Sequence, residues 1–341
     1  MNREPFELNT GISNMKDLMA SDLSPYHAIY LGNPFCRDYE ANFLEELEDL
    51  RAGIRHCQGV GCKAYLTTYA APRNYFLPQI RRAIAVAAEE GVAAVEAHNL
   101  GVVRILHAEF PGLPIHIGGF ANVYTDTGAA VLRDYGAARV TPNYELSLEE
   151  IEGMAENTGL ELEILLHGKM PLGISDYCFL LEYEKEWGMK CPDLCQQDLY
   201  LRQGEWAMKS VGKGVLSGRD ICMLEHLPRL VAAGLHSFRV EAISEDPGYR
   251  RDIGQVYREA LEQALGDAYQ IRGDWWKRIQ GHAKVGLCNG FYFGQSGQLY
   301  VGSQPSAGSG ETSASPRPEL GPKGSVEPLS RAVSSQLRVI S

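Results

Sequence analysis

Three cysteines lie close together in the segment YCFLLEYEKEWGMKCPDLC, with the spacing C-x12-C-x3-C: Cys178, Cys191 and Cys195. Cysteines can bind metals, form disulfides or pack as small buried hydrophobes. The spacing lacks the paired C-x2-C knuckles of a zinc ribbon, whereas iron–sulfur clusters accept irregular spacings because each thiolate binds its own iron. A fourth ligand would come from the other five cysteines, which are Cys36, Cys57, Cys62, Cys222 and Cys288.

A second group of candidate residues lies on two predicted strands. In LELEILLHG, residues Glu163, Leu165 and His167 alternate onto one face, and Arg239 and Glu241 do so in HSFRVEA. A histidine can relay protons near neutral pH, and an arginine can bind a carboxylate with two hydrogen bonds. The alternative interpretation is a His–Glu hydrogen bond and an Arg–Glu ion pair that only fix the packing. We take Glu163, His167, Arg239 and Glu241 as candidate catalytic residues.

The composition limits the class of protein. The chain has 341 residues, of which 45% are hydrophobic and 22% charged, as in a globular protein. Its net charge of −11 argues against a protein that binds nucleic acid by bulk electrostatics. There is no apolar run long enough to span a membrane and no apolar signal sequence, so we expect a cytoplasmic protein. In that reducing compartment the eight cysteines should not pair as disulfides.

Predicted strands and amphipathic helices alternate along residues 1–300, which favours a (β/α)8 TIM-like barrel. A doubly wound open sheet is the alternative, but no G-x-G-x-x-G follows the first strand. Residues 303–341 are rich in Ser, Gly and Pro, which predicts a disordered tail. The eight predicted strands are 5–11, 27–32, 63–68, 92–98, 114–119, 138–143, 160–168 and 236–242.

The seventh and eighth predicted strands are separated by about 67 residues, far more than an ordinary barrel connection. The cysteine segment falls in this gap, which we interpret as an insertion over residues 169–222. In a TIM barrel the loops after the strands form the active-site face. Cys36 follows the second strand and should lie at the same barrel mouth. Cys57 and Cys62 precede the third strand and should be buried at the opposite end.

Several segments resemble peptidase family U32. They are ELEILLHGKMPLGISDYC with the cysteines after it, SGRDICMLEHLPRLVAAGLHSFRVEA and CNGFYFG. The resemblance extends over roughly residues 5–300. Within the family, YLGNPFC and HGKMPLG make the chain similar to the smaller subunit of a heterodimer that hydroxylates ubiquinone precursors without oxygen.

The resemblance implies a [4Fe–4S] cluster held by Cys36, Cys178, Cys191 and Cys195. The chain departs from most of the family at Pro171, where other members have a cysteine. Another family cysteine position is kept as Cys222, which could therefore replace Cys36 or Cys195 as a ligand.

The resemblance also implies a reaction and a partner. The reaction is hydroxylation with oxygen from an organic donor such as prephenate, a dicarboxylate that would suit an arginine in the barrel mouth. The implied partner is a homologous U32 subunit. Three alternatives stay open: an RNA-pyrimidine hydroxylase, a peptidase, and a non-catalytic partner whose cluster stabilises a heterodimer. The peptidase alternative has no G-x-S-x-G or H-E-x-x-H motif to support it.

Overall fold

The computed structural model describes residues 5–183, 194–204, 206–266, 268–303 and 338–340. Eight parallel strands form a closed barrel, because the last of them, β11 (Ser237–Glu241), pairs with both β1 (Glu7–Ile12) and β7 (Glu161–Ile174). The predicted TIM-like barrel is therefore confirmed. The barrel strands are β1 (Glu7–Ile12), β2 (Ala28–Leu31), β3 (Lys63–Thr67), β4 (Ala94–Ala97), β5 (Ile115–Ile117), β6 (Ala137–Val140), β7 (Glu161–Ile174) and β11 (Ser237–Glu241).

Helices lie between the strands along the chain, and their apolar residues pack against the outward faces of the barrel strands in one core. Local signals start them as the sequence predicts: Ser147 and Glu150 form a capping box at the start of α6. The helices are α1 (Met15–Ala20), α2 (Leu47–Gly59), α3 (Leu77–Glu89), α4 (Leu100–Glu109), α5 (Asp126–Asp134), α6 (Leu148–Thr158), α7 (Phe179–Tyr183), α8 (Leu227–Ala232), α9 (Pro247–Ala264) and α10 (Gly273–His282).

The insertion is an antiparallel sheet that continues the barrel wall. Strand β7 extends beyond the barrel and pairs with β10, which pairs with β9, and β9 with β8. The insertion strands are β8 (Tyr200–Gln203), β9 (Trp206–Val211) and β10 (Gly214–Cys222). A short strand from the C-terminal part of the chain, β12 (Leu287–Cys288), pairs parallel with β10.

The predicted disordered tail falls largely on residues 304–337, which lie outside the described residues. Within the predicted tail, Arg338–Ile340 forms β13 and pairs antiparallel with β8. Among the helices that the structure describes, none combines the length and the apolar character needed to cross a membrane.

Strand β7 changes face where it leaves the barrel. Its pairing with β11 shifts register: Leu165 is opposite Arg239, but His167 is opposite Val240. Paired residues of neighbouring strands share a face, and Val240 alternates with the inward-facing Arg239. His167 therefore lies on the outer face of the barrel. The prediction that His167 shares an inward face with Glu163 is wrong. A β-bulge between Leu165 and His167 reverses the alternation, and the sequence pattern gives no sign of it.

Gly168 lies directly after this change of face, in a backbone conformation that favours glycine. Its φ is +112°, and a Cβ added there would lie 2.3 Å from the carbonyl oxygen of Glu241. A residue with a side chain would have to adopt a strained backbone and also push β11 away.

We expect Gly168→Ala to reduce the free energy of unfolding by roughly 2–5 kcal/mol, through backbone strain and the clash with β11. Urea denaturation measures this change. The matched control is Gly153→Ala in α6, where an added Cβ meets no atom within 4 Å. The control should be neutral or stabilising by up to about 1 kcal/mol. Equal stability of the two variants would contradict the constraint at Gly168.

Candidate functional site

Cys36 lies at the barrel mouth, after β2, in a turn that side-chain amides hold in place. The side-chain oxygen of Asn33 accepts hydrogen bonds from the backbone N–H groups of Phe35 (2.9 Å) and Cys36 (3.2 Å). The side-chain amide of Asn42 donates to the Cys36 carbonyl at 3.2 Å. This part of YLGNPFC therefore fixes where the Cys36 thiol points.

The Cys195 thiol lies near that of Cys36, at the turn between β9 and β10. Gly212 in this turn has a φ of +76°, and an ideal Cβ there would lie 3.9 Å from Cys36 Sγ and 3.8 Å from Cys195 Sγ. The two sulfurs therefore flank the same backbone position. A side chain at residue 212 would project between them.

Cys178 is tied to the same turn through its neighbours. Ser175 N–H donates to the Lys213 carbonyl at 2.8 Å, and the Lys213 ammonium binds the Asp176 carboxylate at 3.1 Å. Cys178 follows two residues later and lies within electrostatic range of Cys36. Cys36 and Cys195 thus lie beside one turn, and Cys178 follows a segment that is bonded to this turn, whereas Cys191 lies outside the described residues.

The remaining described cysteines lie elsewhere. Cys222 is fully buried at the end of β10, where its sulfur accepts a hydrogen bond from the Tyr257 hydroxyl at 3.5 Å. Cys57 and Cys62 are buried as predicted, and the Cys62 thiol donates to the Tyr26 carbonyl at 3.2 Å. Cys288 is also buried.

The donors beside this turn are thiols, which are the ligands that iron–sulfur clusters use. Among the described residues, no three His, Cys, Asp or Glu side chains converge on one ion position. In a cluster each thiolate binds its own iron, so the sulfurs need not converge so closely. Burial raises the pKa of the Cys36 thiol to about 11, so the thiol is protonated unless a bound cation displaces the proton.

The barrel interior holds a network of buried charges. Glu163 accepts hydrogen bonds from Arg239 Nε (2.6 Å), Asn9 (2.9 Å) and Tyr30 (3.1 Å). The Arg239 guanidinium also binds Glu96 at 2.5 Å and stacks on the Tyr30 ring. Two nitrogens of Arg239 are thus already bonded to carboxylates of the protein. These partners are Glu163 and Glu96 and not Glu241, with which the alternative interpretation paired it.

A second arginine completes this network towards the bottom of the barrel. Arg139 binds Glu7 at 2.7 Å and Glu163 at 3.4 Å. Burial alone would raise the pKa of Glu7, but the Arg139 guanidinium and the Lys63 ammonium lower it to about 2. The buried carboxylates therefore stay charged in the barrel interior only because the arginines balance their charge.

Glu96 and His98 lie at the top of the network, where β4 ends. Burial alone would raise the pKa of Glu96, but Arg239 and His98 together hold it well below its usual range. His98 Nε2 lies 3.2 Å from Glu96. His98 Nδ1 is buried and has no hydrogen-bond partner among the described residues. This nitrogen packs against Gly118, where an added Cβ would lie 2.1 Å from it.

A cavity of about 290 Å³ opens at the barrel mouth beside these groups. It lies between the loops after β5 and β6 and the extension of β7, and its lining includes Phe120 and Tyr144. The Phe120 ring contacts both Phe35 and His98, with centroids 5.4 and 5.5 Å apart. Phe120 therefore lies between the cavity and the turn that carries Cys36.

The two other predicted catalytic residues have different surroundings. Glu241 faces inward near Arg239, and burial raises the pKa of its carboxyl. His167 faces away from the barrel interior, and its Nδ1 lies 3.2 Å from the Tyr257 hydroxyl of α9. Burial and the nearby Lys169 lower the pKa of His167 to about 3, so it is neutral at physiological pH. The predicted His–Glu contact with Glu163 does not form.

Buried charges also attach the insertion to the barrel. The Lys169 ammonium binds Asp220 at 3.0 Å, and the Tyr249 hydroxyl of α9 donates to Asp220 at 3.2 Å. Lys209 binds Glu245 at 2.7 Å. Because β7, β9, β10 and α9 share these bonds, the insertion is held in a fixed position relative to the barrel.

Sequence reasoning missed several residues of the polar interior, namely Glu7, Tyr30, Glu96, His98, Arg139 and Tyr144. A usable signal exists for some of them. Glu96 and His98 alternate in VAAVEAH in the same way that Glu163 and Leu165 do in LELEILLHG. A charged residue inside an apolar strand of a barrel indicates an inward ion pair.

Comparisons with known proteins match most of the chain. A model of peptidase family U32 matches residues 13–301. The chain is 29% identical to an uncharacterized protease of Methanocaldococcus jannaschii, over 72% of this chain and 63% of that protein, so it spans less than two thirds of that relative. It is 23% identical to tRNA hydroxylation protein P of Escherichia coli, over 84% of this chain and 74% of that protein. For tRNA hydroxylation protein P2 of Bacillus subtilis the identity is 25%, over 72% of this chain and 84% of that protein.

We expect Arg239→Met to lower the free energy of unfolding at pH 7 by about 3–5 kcal/mol, because it leaves Glu96 and Glu163 buried without this counter-charge. In the native protein the lowered pKa of Glu96 contributes stability above the pKa of the unfolded carboxyl, and this contribution is lost as the pH falls. Without Arg239, burial raises that pKa instead. The difference in the free energy of unfolding between the native protein and Arg239→Met should therefore become smaller as the pH falls from 7 to 5.

Urea denaturation of both proteins at several pH values measures this effect. The matched control is Arg81→Met, which removes an exposed pair with Glu109 at 2.9 Å. The control should change stability by less than about 1 kcal/mol. A deficit for Arg239→Met that stays constant or grows as the pH falls would contradict the proposed charge balance.

Proposed function

This chain belongs to peptidase family U32, and we propose that it takes part in hydroxylating an aromatic ring without molecular oxygen. The proposed cofactor is a [4Fe–4S] cluster held by Cys36, Cys178, Cys191 and Cys195. When bound, such a cluster would supply electron transfer at the barrel mouth. The proposed substrate is a quinone precursor or a similar small aromatic compound.

The observation that carries the proposal is the position of the thiols. The sulfurs of Cys36 and Cys195 flank Gly212, and the segment that carries Cys178 is bonded to the same turn. Cys36 is more than 100 residues from Cys178 and Cys195 in sequence, and these cysteines lie on the face where TIM barrels carry their active sites. Buried structural cysteines need no such convergence.

The residues around the mouth would bind and orient the ring. The cavity of about 290 Å³ is close to the volume of ordinary small-molecule sites, and Phe120 offers it an aromatic face. The hydroxyl of Tyr144 can donate to a polar substituent. His98 contacts both Glu96 and the ring of Phe120, which borders the cavity, so we assign His98 the role of holding or moving a proton.

The reaction also needs an oxygen source and an oxidant. Replacing a ring hydrogen by hydroxyl is an oxidation of the ring, so an organic donor must give up an oxygen atom and be reduced. A prephenate-like donor is the class that the family resemblance implies. A homologous U32 subunit is the proposed partner.

A second candidate substrate is a pyrimidine in RNA. The observation that favours it is the similarity to proteins named for tRNA hydroxylation. The net charge of −11 weakens it, since RNA binding depends on contacts between basic residues and phosphates. The same cluster and barrel mouth would serve either substrate.

Protein purified without oxygen should be brown and carry about four irons per chain. Cys178→Ala should lose most of the iron and the visible absorption, because it removes a ligand. The control is Cys57→Ala, which removes a thiol buried at the other end of the barrel and should keep both. Iron assay and absorption spectra give the result, and equal iron in the two variants would reject this ligand set.

Deleting the gene should remove one hydroxylated product from cells grown without oxygen, and the wild-type gene should restore it. Mass spectrometry of the extracted quinones and of the nucleosides from total RNA distinguishes the two substrates. Cys36→Ala should fail to restore the product, and Cys57→Ala should restore it. Loss of a hydroxylated nucleoside with normal quinones would select the RNA candidate, and no change in either fraction would reject hydroxylation.

A further inference from the structure

A separate cavity of about 240 Å³ lies on the insertion sheet, between β7, β9, β10 and residues 285–298. At roughly 30 Å³ per water molecule it could hold about eight waters, or a small ring system. The thiols lie at the β9–β10 turn, whereas this cavity lies near the other end of the same hairpin. Large apolar side chains form much of its wall: Met170, Leu172, Trp206, Met208 and Phe291.

A bulge in β10 shapes one side of this cavity. Leu216 pairs with Pro171 and Asp220 pairs with Lys169, so residues 217–219 are opposite the single residue Met170. The Ser217 hydroxyl stabilises the bulge, because it accepts from Met170 N–H at 2.8 Å and donates to the Arg219 carbonyl at 2.6 Å. Bulges of this kind redirect side chains and are common beside functional sites.

The side chain that the bulge places at the cavity is Arg219. It is half-buried and lines the cavity. Its guanidinium forms no hydrogen bond or ion pair with any residue that the structure describes, whereas the nearby Lys169 and Lys209 each bind carboxylates. The chain carries 43 acidic and 32 basic residues, so carboxylates are abundant, yet none of those described reaches Arg219.

We propose that this cavity binds an amphiphilic anion that consists of a flat apolar ring system with one carboxylate. The ring would pack against Met170, Met208 and Phe291, and the carboxylate would accept two hydrogen bonds from Arg219. Leu172 and Trp206 are 46% and 37% exposed, and a bound ring would cover part of their surface. The site shares Met170 and Leu172 with the wall of the mouth cavity, but it uses neither the thiols nor Phe120 and Tyr144, so it goes beyond the proposed hydroxylation.

Calorimetric titration of the full chain with two matched probes tests this site. The probes are 2-naphthoate and the neutral 2-naphthylmethanol, which share the ring and differ in the charged group. The native protein should bind naphthoate about tenfold more tightly than the alcohol. Arg219→Gln should weaken naphthoate by about tenfold and leave the alcohol within about twofold. Binding of the alcohol also reports that the cavity of the variant is intact.

Two further variants complete the test. Arg104→Gln removes an exposed arginine of α4 that is not part of the cavity, and it should leave both affinities unchanged. Met208→Ala removes a wall contact and should weaken both probes alike. The proposal is overturned if neither probe shows saturable binding, if Arg219→Gln leaves naphthoate affinity unchanged, or if Met208→Ala affects neither probe.

Discussion

Strand β7 belongs both to the parallel barrel and to the antiparallel insertion, and the rest of the fold depends on this double role. Its first half closes the parallel barrel against β6 and β11, and its second half begins the antiparallel insertion against β10. The change from one to the other requires the register shift after Leu165 and the positive φ of Gly168. From this point the insertion folds back over the mouth, where Gly212 of the β9–β10 turn lies beside the thiols of both Cys36 and Cys195.

The chain separates two kinds of polar chemistry. Inside the barrel, where branched apolar residues usually dominate, carboxylates and arginines neutralise each other, so Glu163, Glu96 and Arg239 form a rigid polar core. At the mouth, Cys36 and Cys195 lie beside Gly212, and the charged groups near Cys36 include Lys213 and Asp38. Phe120 borders the cavity and contacts both Phe35, in the turn that carries Cys36, and His98 of the polar interior. A small ring bound in the cavity would therefore lie close to both regions.

All eight barrel strands were predictable, because each is a short apolar run placed between amphipathic segments. The inward direction of Glu163 and Arg239 followed from simple alternation. His167 could not be placed correctly, because a bulge reverses alternation and depends on the pairing with β11 rather than on the residues of β7. The insertion was located by its length and its cysteines, but its antiparallel pairing depends on long-range contacts. Arg139 was missed because it is a single charged residue within a short strand, whereas Glu96 alternates with His98 and could have been placed from the sequence.

Thiol alkylation of protein with and without reconstituted iron and sulfide, read by peptide mass spectrometry, tests the central claim most directly. Cys178 and Cys195 are partly exposed and should react in the iron-free protein. In the iron-loaded protein we expect Cys36, Cys178, Cys191 and Cys195 to be protected together, while Cys57 and Cys222 stay unreactive in both forms because they are fully buried. Reaction of Cys178 and Cys195 at the same rate with and without iron would contradict a cluster held by these thiolates.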